Sequence, residues 1–158
     1  MLSQTIEYAL RAMNNIAAQR SDSSQSSEAI ALMTKVPRRY LSKILRDLAR
    51  AELVRSQRGP NGGFVLARPA SQITMLDVIS AVAPLTHITE CPLGNPGHLS
   101  LCPLHRRLEH AIELIENEFR KTTLAELVES AAQAGEHCRS LSGRHASTPV
   151  QLNTPPAG

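Results

Sequence analysis

The hydrophobic period of the chain changes from helical to extended near residue 51, and this change is the strongest constraint on the fold. Before it, four apolar residues follow the helical spacing i, i+3, i+4, i+7: Leu41, Ile44, Leu45 and Leu48. After it, two short β-prone segments, residues 53–56 and 64–66, enclose a turn-rich stretch that contains three glycines. We therefore predict a helix that ends near Ala51 and is followed by a β-hairpin.

Two further helices are predicted before this hairpin, over residues 3–19 and from Ser26 or Ser27 to about Thr34. The first has an apolar stripe at helical spacing, made by Ile6, Ala9, Leu10, Met13, Ile16 and Ala17. The buried side of the second is predicted to consist of Ala29, Ile30, Leu32 and Met33. Three helices followed by a hairpin is the element order of a winged helix-turn-helix, so we predict a mainly α fold built on that motif.

The second half of the chain is predicted to be helical on both sides of an irregular loop. A fourth helix begins at Ser71 or Thr74 and ends at about Val82, and a long helix begins at Pro103. The long helix has an apolar stripe made by Leu104, Leu108, Ala111, Ile112, Ile115 and Phe119. The predicted organisation is a winged helix-turn-helix region over 1–82, a Cys/His loop over 83–102, the long helix with a short C-terminal helix over 103–131, and a disordered tail over 132–158.

Length and composition exclude several classes of protein. The 158 residues and the hydrophobic content of 42% fit one globular domain. No apolar run approaches the roughly 20 residues that a bilayer span needs, and residues 1–19 lack the basic start and the apolar stretch of a signal peptide. The three cysteines are an odd number and argue against a disulfide framework. We therefore expect a cytoplasmic protein with reduced thiols, for which metal or redox chemistry is an option.

Basic residues are concentrated in the front half of the chain. Residues 1–68 carry eleven basic and five acidic side chains, whereas residues 69–131 carry four basic and eight acidic ones. On the third predicted helix, the face opposite the apolar stripe carries Arg39, Lys43, Arg46 and Arg50. Such a helix can enter the major groove of DNA, and Arg58 on the narrow hairpin turn can approach the minor groove. The alternative is a solvated basic face on a helical bundle protein.

Three segments resemble one known family. Residues 36–45 read VPRRYLSKIL, residues 51–64 read AELVRSQRGPNGGF, and residues 73–79 read ITMLDVI. They are similar to the Rrf family of bacterial winged helix-turn-helix transcription regulators, which includes IscR, NsrR and CymR. The DNA-contacting positions that this resemblance implies are Arg38, Arg39, Tyr40, Ser42, Lys43, Arg58 and Asn61. The family usually has glycine where this chain has Glu52, and a carboxylate at a helix C-terminus is unfavourable by about a few tenths of a kcal/mol.

The resemblance also implies a homodimer that binds double-stranded operator DNA. In the family, the long helix after the cysteine region forms the dimer interface, and residues 103–120 match it. The one-sided apolar stripe of this helix independently fits a dimer interface. The alternative is that the stripe packs against its own chain.

Two thiols and two imidazoles lie within fifteen residues of the irregular loop: Cys91, His98, Cys102 and His105. Cysteine and histidine are ligands suited to iron-sulfur clusters, zinc or copper, and the Pro and Gly content allows the loop to wrap an ion. Cys102 and His105 are three residues apart across a predicted helix start, so both side chains can face one point. A helix N-terminus also lowers the pKa of a thiol.

The resemblance implies a more specific ligand set. Cys91 matches the first cysteine of the family's iron-sulfur site, Cys102 matches the last, and His105 matches a histidine that completes the site in the iron-sulfur assembly regulator. The middle cysteine is absent, and His98 stands about where it would fall. Glu7 on the first helix matches a carboxylate ligand that some nitric-oxide or redox-sensing members take from the same helix, in dimers from the partner chain.

This ligand set leaves the cofactor open. Two cysteines with histidines favour a 2Fe-2S cluster over a four-iron cluster. Zinc in a Cys/His site and a metal-free thiol pair are the alternatives. Cys138 has no matching partner in the pattern and is interpreted as incidental.

We therefore predict a homodimeric DNA-binding regulator controlled by an iron-sulfur cluster or a redox-sensitive Cys/His site. A clusterless or zinc-containing regulator that responds to thiol oxidation or to a partner protein is the alternative. An enzyme with Cys91 or Cys102 as nucleophile and His98 or His105 as base lacks support, because the chain has no phosphate-binding loop and no residue placed to orient the base.

Overall fold

The structure is a computed structural model that describes residues 2–19, 23–59, 62–91 and 101–133. Its helices are α1 (Gln4–Ala17), α2 (Ser27–Thr34), α3 (Arg38–Arg50), α4 (Met75–Val82), α5 (Pro103–Lys121) and α6 (Leu124–Gln133). Strands β1 (Val54–Gln57) and β2 (Gly63–Leu66) form a two-stranded antiparallel sheet. The mainly helical class and the order of three helices followed by a hairpin confirm the predicted fold.

The core lies where α1, α3 and α4 pack together. The side chain of Ser3 caps α1 by accepting a hydrogen bond from the backbone N–H of Ile6, and the helix then buries most of the predicted stripe. From α3, four side chains are at most 2% exposed: Leu41, Ile44, Leu45 and Leu48. Burial of each such side chain contributes about 1.5–3 kcal/mol, so this stripe holds the helix firmly in place.

The predicted buried side of α2 is wrong at one position. Leu32 is 71% exposed, whereas Ile30 is fully buried. Residues two positions apart on an α-helix point about 200° apart around its axis. Because Ile30 and Thr34 face the core, Leu32 faces solvent. Ser26 is the N-cap of this helix and accepts a hydrogen bond from the N–H of Ala29 at 3.1 Å.

The chain leaves α3 through a residue with a positive φ, Glu52. Glu52 has a φ of 54°, in the left-handed region that favours glycine. Its backbone reverses the chain so that the N–H of Leu53 reaches the carbonyl of Leu48 at 3.0 Å. The conformation of the backbone, rather than the helix dipole, is therefore the main local cost of the carboxylate residue at this position.

The hairpin is joined to the helical part by a third extended segment. β1 pairs with β2 from Val54↔Leu66 to Gln57↔Gly63. Gln25, which precedes α2, forms an antiparallel bridge with Phe64, with hydrogen bonds of 3.1 and 2.8 Å between their backbones. The segment before α2 thus holds the hairpin against the helical part.

We expect Gly63→Ala to destabilise the protein by roughly 1–3 kcal/mol, because overpacking a closely packed site costs about that much. A Cβ atom at Gly63 would lie 2.2 Å from the carbonyl oxygen of Gln25 and 2.8 Å from the nitrogen of Ser26. Urea unfolding measures the loss, and Ser56→Ala at an exposed position of β1 is the control. Equal stability of the two variants would show that the bridge to Gln25 does not constrain the hairpin.

The C-terminal half returns to the start of α4. Thr74 and Asp77 form a reciprocal capping box, so α4 begins after Thr74, and the residues before it form a short 3-10 turn. After α5, the backbone N–H of Leu124 donates to the carbonyl of Ile73 at 2.9 Å, and α6 packs against α1 and the 3-10 turn. α5 itself has no buried residue.

Candidate metal centre and nucleic-acid interface

The basic face of α3 is open to solvent. The predicted DNA-contacting residues of this helix are all exposed: Arg38, Arg39, Tyr40, Ser42 and Lys43. Pro37 precedes the helix, and the carbonyl of Pro37 accepts from the N–H of Leu41 at 3.0 Å. Because the apolar stripe of α3 is fixed in the core, its opposite face necessarily presents these polar side chains outward.

Several basic side chains of this face are paired with acidic ones. Arg38 lies 3.4 Å from Glu28, and Asp47 receives both Lys43 at 3.3 Å and Arg50 at 3.7 Å. The basic partners in these pairs are 61–74% exposed. Exposed pairs of this kind are weak and exchange readily, so they leave the cations available to phosphates.

An aromatic cluster at the start of α3 was not predicted from the sequence. The guanidinium of Arg39 lies 4.8 Å from the centre of the Tyr40 ring, and Tyr8 of α1 meets Tyr40 edge-on at 6.0 Å between ring centres. The Tyr8 hydroxyl accepts from Gln4 at 2.9 Å. Stacking limits the rotamers of Arg39 and so preorganises it at the exposed end of the helix. No local sequence pattern links Tyr8 of α1 to Tyr40 of α3, so only the tertiary structure reveals this contact.

The hairpin turn presents Arg58 one residue beyond the end of β1, and its side chain is exposed. Gly59 has a φ of 118°, and its carbonyl accepts from the N–H of Gly62 at 2.9 Å, which makes the turn tight. Asn61, the other predicted DNA-contacting residue of the turn, lies outside the described residues.

Cys91, Cys102 and His105 come together in space. Their sulfur atoms and a ring nitrogen lie within 4.8 Å of one another. His105 Nδ1 is 3.2 Å from the sulfur of Cys102 and 3.7 Å from the sulfur of Cys91. Cys102 is the N-cap of α5, followed by proline at the first position, and this start of the helix sets Cys102 and His105 on one side. Cys91 arrives from the segment that follows α4.

The helix start also tunes the thiol of Cys102. The backbone N–H of His105, followed by its side chain, lowers the pKa of Cys102 to about 7, against an opposing effect of partial burial. A substantial thiolate fraction therefore exists near neutral pH, and the thiolate is the form that binds metals and attacks oxidants. This agrees with the predicted effect of a helix N-terminus.

The donor set fits a soft metal centre with three ligands from one chain. Two thiols and one imidazole, all partly buried, are ligands for iron-sulfur clusters and for zinc. The predicted fourth ligand, His98, lies outside the described residues. Within one chain Glu7 lies outside this group, since it is exposed and forms an ion pair with Arg11 on α1; its role as a ligand from the partner chain stays a prediction. Within the described ranges, no helix is long and apolar enough to cross a membrane.

Known proteins resemble this chain in sequence and in fold. The family model named Rrf2, with the description "Iron-dependent Transcriptional regulator", matches residues 2–130. An Aquifex aeolicus (strain VF5) protein named "Putative HTH-type transcriptional regulator" is 31% identical over 137 residues, which cover 81% of this chain and 91% of that protein.

Two solved structures show the same fold. T. potens IscR aligns with a TM-score of 0.73 and 25% identity, over 85% of this chain and 90% of that chain. CymR, the global cysteine regulator of B. subtilis, aligns with a TM-score of 0.70 and 25% identity, over 82% of this chain and 97% of that chain. The family model covers most of the length of this chain, and this chain therefore belongs to the Rrf2 family of transcriptional regulators.

Proposed function

We propose that the protein is a homodimeric repressor or activator that binds operator DNA in the cytoplasm, with an affinity controlled by the Cys91, Cys102 and His105 site. The observation that carries this proposal is the convergence of these three donors at the start of the long helix. The preferred occupant is an iron-sulfur cluster, with 2Fe-2S favoured, and His98 is the proposed fourth ligand. When bound, a cluster supplies a redox-sensitive link between the loop and the helix.

The exposed apolar face of α5 supports the homodimer. Four large side chains of this helix are 46–63% exposed: Leu104, Leu108, Leu114 and Ile115. Three of them, together with Ala111, follow the spacing i, i+4, i+7, i+11 along one face. An exposed apolar stripe on a long amphipathic helix is typical of a protein interface, and a second copy of α5 presents a complementary stripe.

This placement connects the candidate metal centre to DNA binding. Cys102 begins α5, so gain or loss of a ligand there changes the restraint on the N-terminal end of the helix. If α5 forms the dimer interface, a shift of this helix alters the separation of the two copies of α3. Operator half-sites lie about one helical turn or a multiple apart, so a shift of a few Å changes the fit to both grooves.

A zinc-containing or metal-free regulator is the second candidate. Zinc accepts the same mixed thiolate and imidazole ligands. A metal-free dithiol is favoured by the lowered pKa of Cys102, because its thiolate can attack a disulfide such as oxidised glutathione and release one reduced glutathione. The thiol of Cys91 can then displace the second reduced glutathione and close the Cys91–Cys102 disulfide. In either form, the regulator would bind the same DNA through α3 and the hairpin.

DNA binding is tested with a random-sequence duplex, a salt titration and an operator selected from that random pool. We expect Arg58→Ala to weaken binding to the selected operator about tenfold and to reduce the salt slope by about one. Arg68→Ala is the matched control, because Arg68 is exposed but lies beyond the opposite end of the hairpin. Equal binding by the two variants would show that the hairpin does not contact the DNA. Salt-independent binding of the wild type would contradict the proposed function.

A further inference from the structure

A second group of ionisable side chains lies outside the candidate metal centre. His87, in the segment between α4 and Cys91, sits between two carboxylates of α5. Its Nδ1 is 2.5 Å from Glu109 Oε1, and its Nε2 is 3.3 Å from Glu116 Oε2. Glu109 also accepts a hydrogen bond from the backbone N–H of Ile88 at 2.5 Å. The two carboxylate side chains are only 17% and 24% exposed.

This geometry favours the charged form of the histidine. A neutral imidazole has one N–H, so it can donate to only one of the two carboxylates and would turn a lone pair toward the other. The hydrogen bond to Glu109 raises the pKa of His87, with further support from the charges of Glu109, Glu116 and Glu113. The same hydrogen bond lowers the pKa of Glu109. Arg120 is a second charged partner of Glu116, with its guanidinium 3.3 Å from Glu116 Oε1.

The contact joins the two parts of the chain that supply the metal ligands. His87 and Ile88 precede Cys91 by four and three residues, and Glu109 follows His105 by four residues on α5. A tether at His87 therefore limits how far Cys91 can move from Cys102 and His105.

We propose that His87 is a positioning residue for the candidate metal centre: as an imidazolium bridging Glu109 and Glu116, it clamps the segment before Cys91 to α5 and keeps Cys91 beside Cys102 and His105. The proposal deepens the proposed function, on which its biological role rests, but the clamp itself requires no metal. The direction of its pH dependence follows from the charged form of His87. The clamp is complete below the ordinary pKa of histidine and is lost as the pH rises through the raised pKa of His87.

The proximity of the two thiols reports on the clamp without any metal. The full chain is equilibrated in EDTA with reduced and oxidised glutathione, so that Cys91 and Cys102 form a disulfide while one oxidised glutathione yields two reduced ones. The disulfide fraction is read by alkylation and mass spectrometry. At about pH 6, His87→Gln is expected to lower the equilibrium constant roughly threefold to tenfold, because Cys91 is then less confined.

The pH profile separates positioning from a general loss of structure. At a pH well above the raised pKa of His87, as located by NMR titration, the wild type and His87→Gln are expected to agree. His110→Gln is the matched control, because His110 is an exposed histidine of α5 with a single carboxylate 3.7 Å away. It should behave as the wild type at every pH. NMR titration adds an independent measure: Glu109→Gln should return the pKa of His87 toward its ordinary value.

Three results would overturn the clamp. They are an unshifted pKa of His87 in the wild type, equal disulfide constants for the wild type and His87→Gln at about pH 6, and no Cys91–Cys102 disulfide at any glutathione ratio. The proposed function fails on a different result, since a protein that neither binds a metal nor responds to oxidation on DNA would refute the sensor role even with the clamp intact.

Discussion

Replacing Ile115 with glutamate is expected to convert the protein into a monomer and to weaken its binding to the selected operator about a hundredfold or more. Ile115 is 46% exposed on the apolar face of α5. In the proposed dimer, the new carboxylate would be removed from water against the apolar face of the partner helix, which is strongly unfavourable. A monomer then engages one half-site at a time and loses the avidity of two linked sites, which is worth about 10²–10⁴ in affinity.

Sedimentation velocity measures the change in oligomeric state. Leu32→Glu is the matched control, because Leu32 is 71% exposed on α2 and receives the same chemical change away from α5. It should leave the oligomeric state unchanged, and circular dichroism should show the same helix content for both variants. If Ile115→Glu remains a dimer, the interface lies elsewhere and the exposed stripe of α5 needs another explanation.

The elements of the fold could be predicted because their signals are local. The stripe on α3 fixes the helical period, and the two glycines beside Phe64 mark the hairpin turn. The sequence pattern predicts that α4 starts at Ser71 or Thr74, and only the reciprocal hydrogen bonds of Thr74 and Asp77 decide between them. Periodicity identifies helices well, but it does not state which partner covers each face.

Burial at short or exposed helices could not be predicted. In α2, all five residues from Ala29 to Met33 are apolar, so the sequence contains no polar side that would show Leu32 to be exposed. The main local cost of Glu52 could not be predicted for a different reason. Its strained backbone depends on φ, and a propensity argument based on the helix dipole does not include φ.

The candidate metal centre was predicted in part. Cys102 and His105 could be paired from spacing alone, because residues three apart at a helix start share one side. Cys91 reaches them only through the path of the segment after α4, and this path depends on His87 and Glu109, whose contact joins residues 22 positions apart. No local pattern marks such a pair. The geometry shows three ligand atoms within reach of one another, whereas the identity of the bound group remains a proposal.

Cys102→Ala is expected to abolish metal binding and the response of DNA affinity to it. Cys102 supplies one of only two thiols in the group, and its pKa of about 7 makes it the readily available thiolate. Wild-type protein is reconstituted without oxygen, assayed for iron, sulfide and zinc, and compared on the selected operator with its metal-free form. We expect the two wild-type forms to differ about tenfold in affinity, as a typical coupling of 1–3 kcal/mol implies, and the two preparations of Cys102→Ala to bind equally.

The metal assay decides which form of the regulator exists. Iron and sulfide in wild type but not in Cys102→Ala support the cluster, and zinc alone supports the second candidate. Cys138→Ala is the control, because the sequence gives that thiol no partner, and it should retain both the metal and the response. If the wild type is colourless and metal-free but its affinity for the operator changes on oxidation, the result supports the metal-free thiol pair. Equal operator binding by every form would refute the sensor role and leave DNA binding through α3 intact, because the basic face of that helix is fixed by its buried stripe and not by the candidate metal centre.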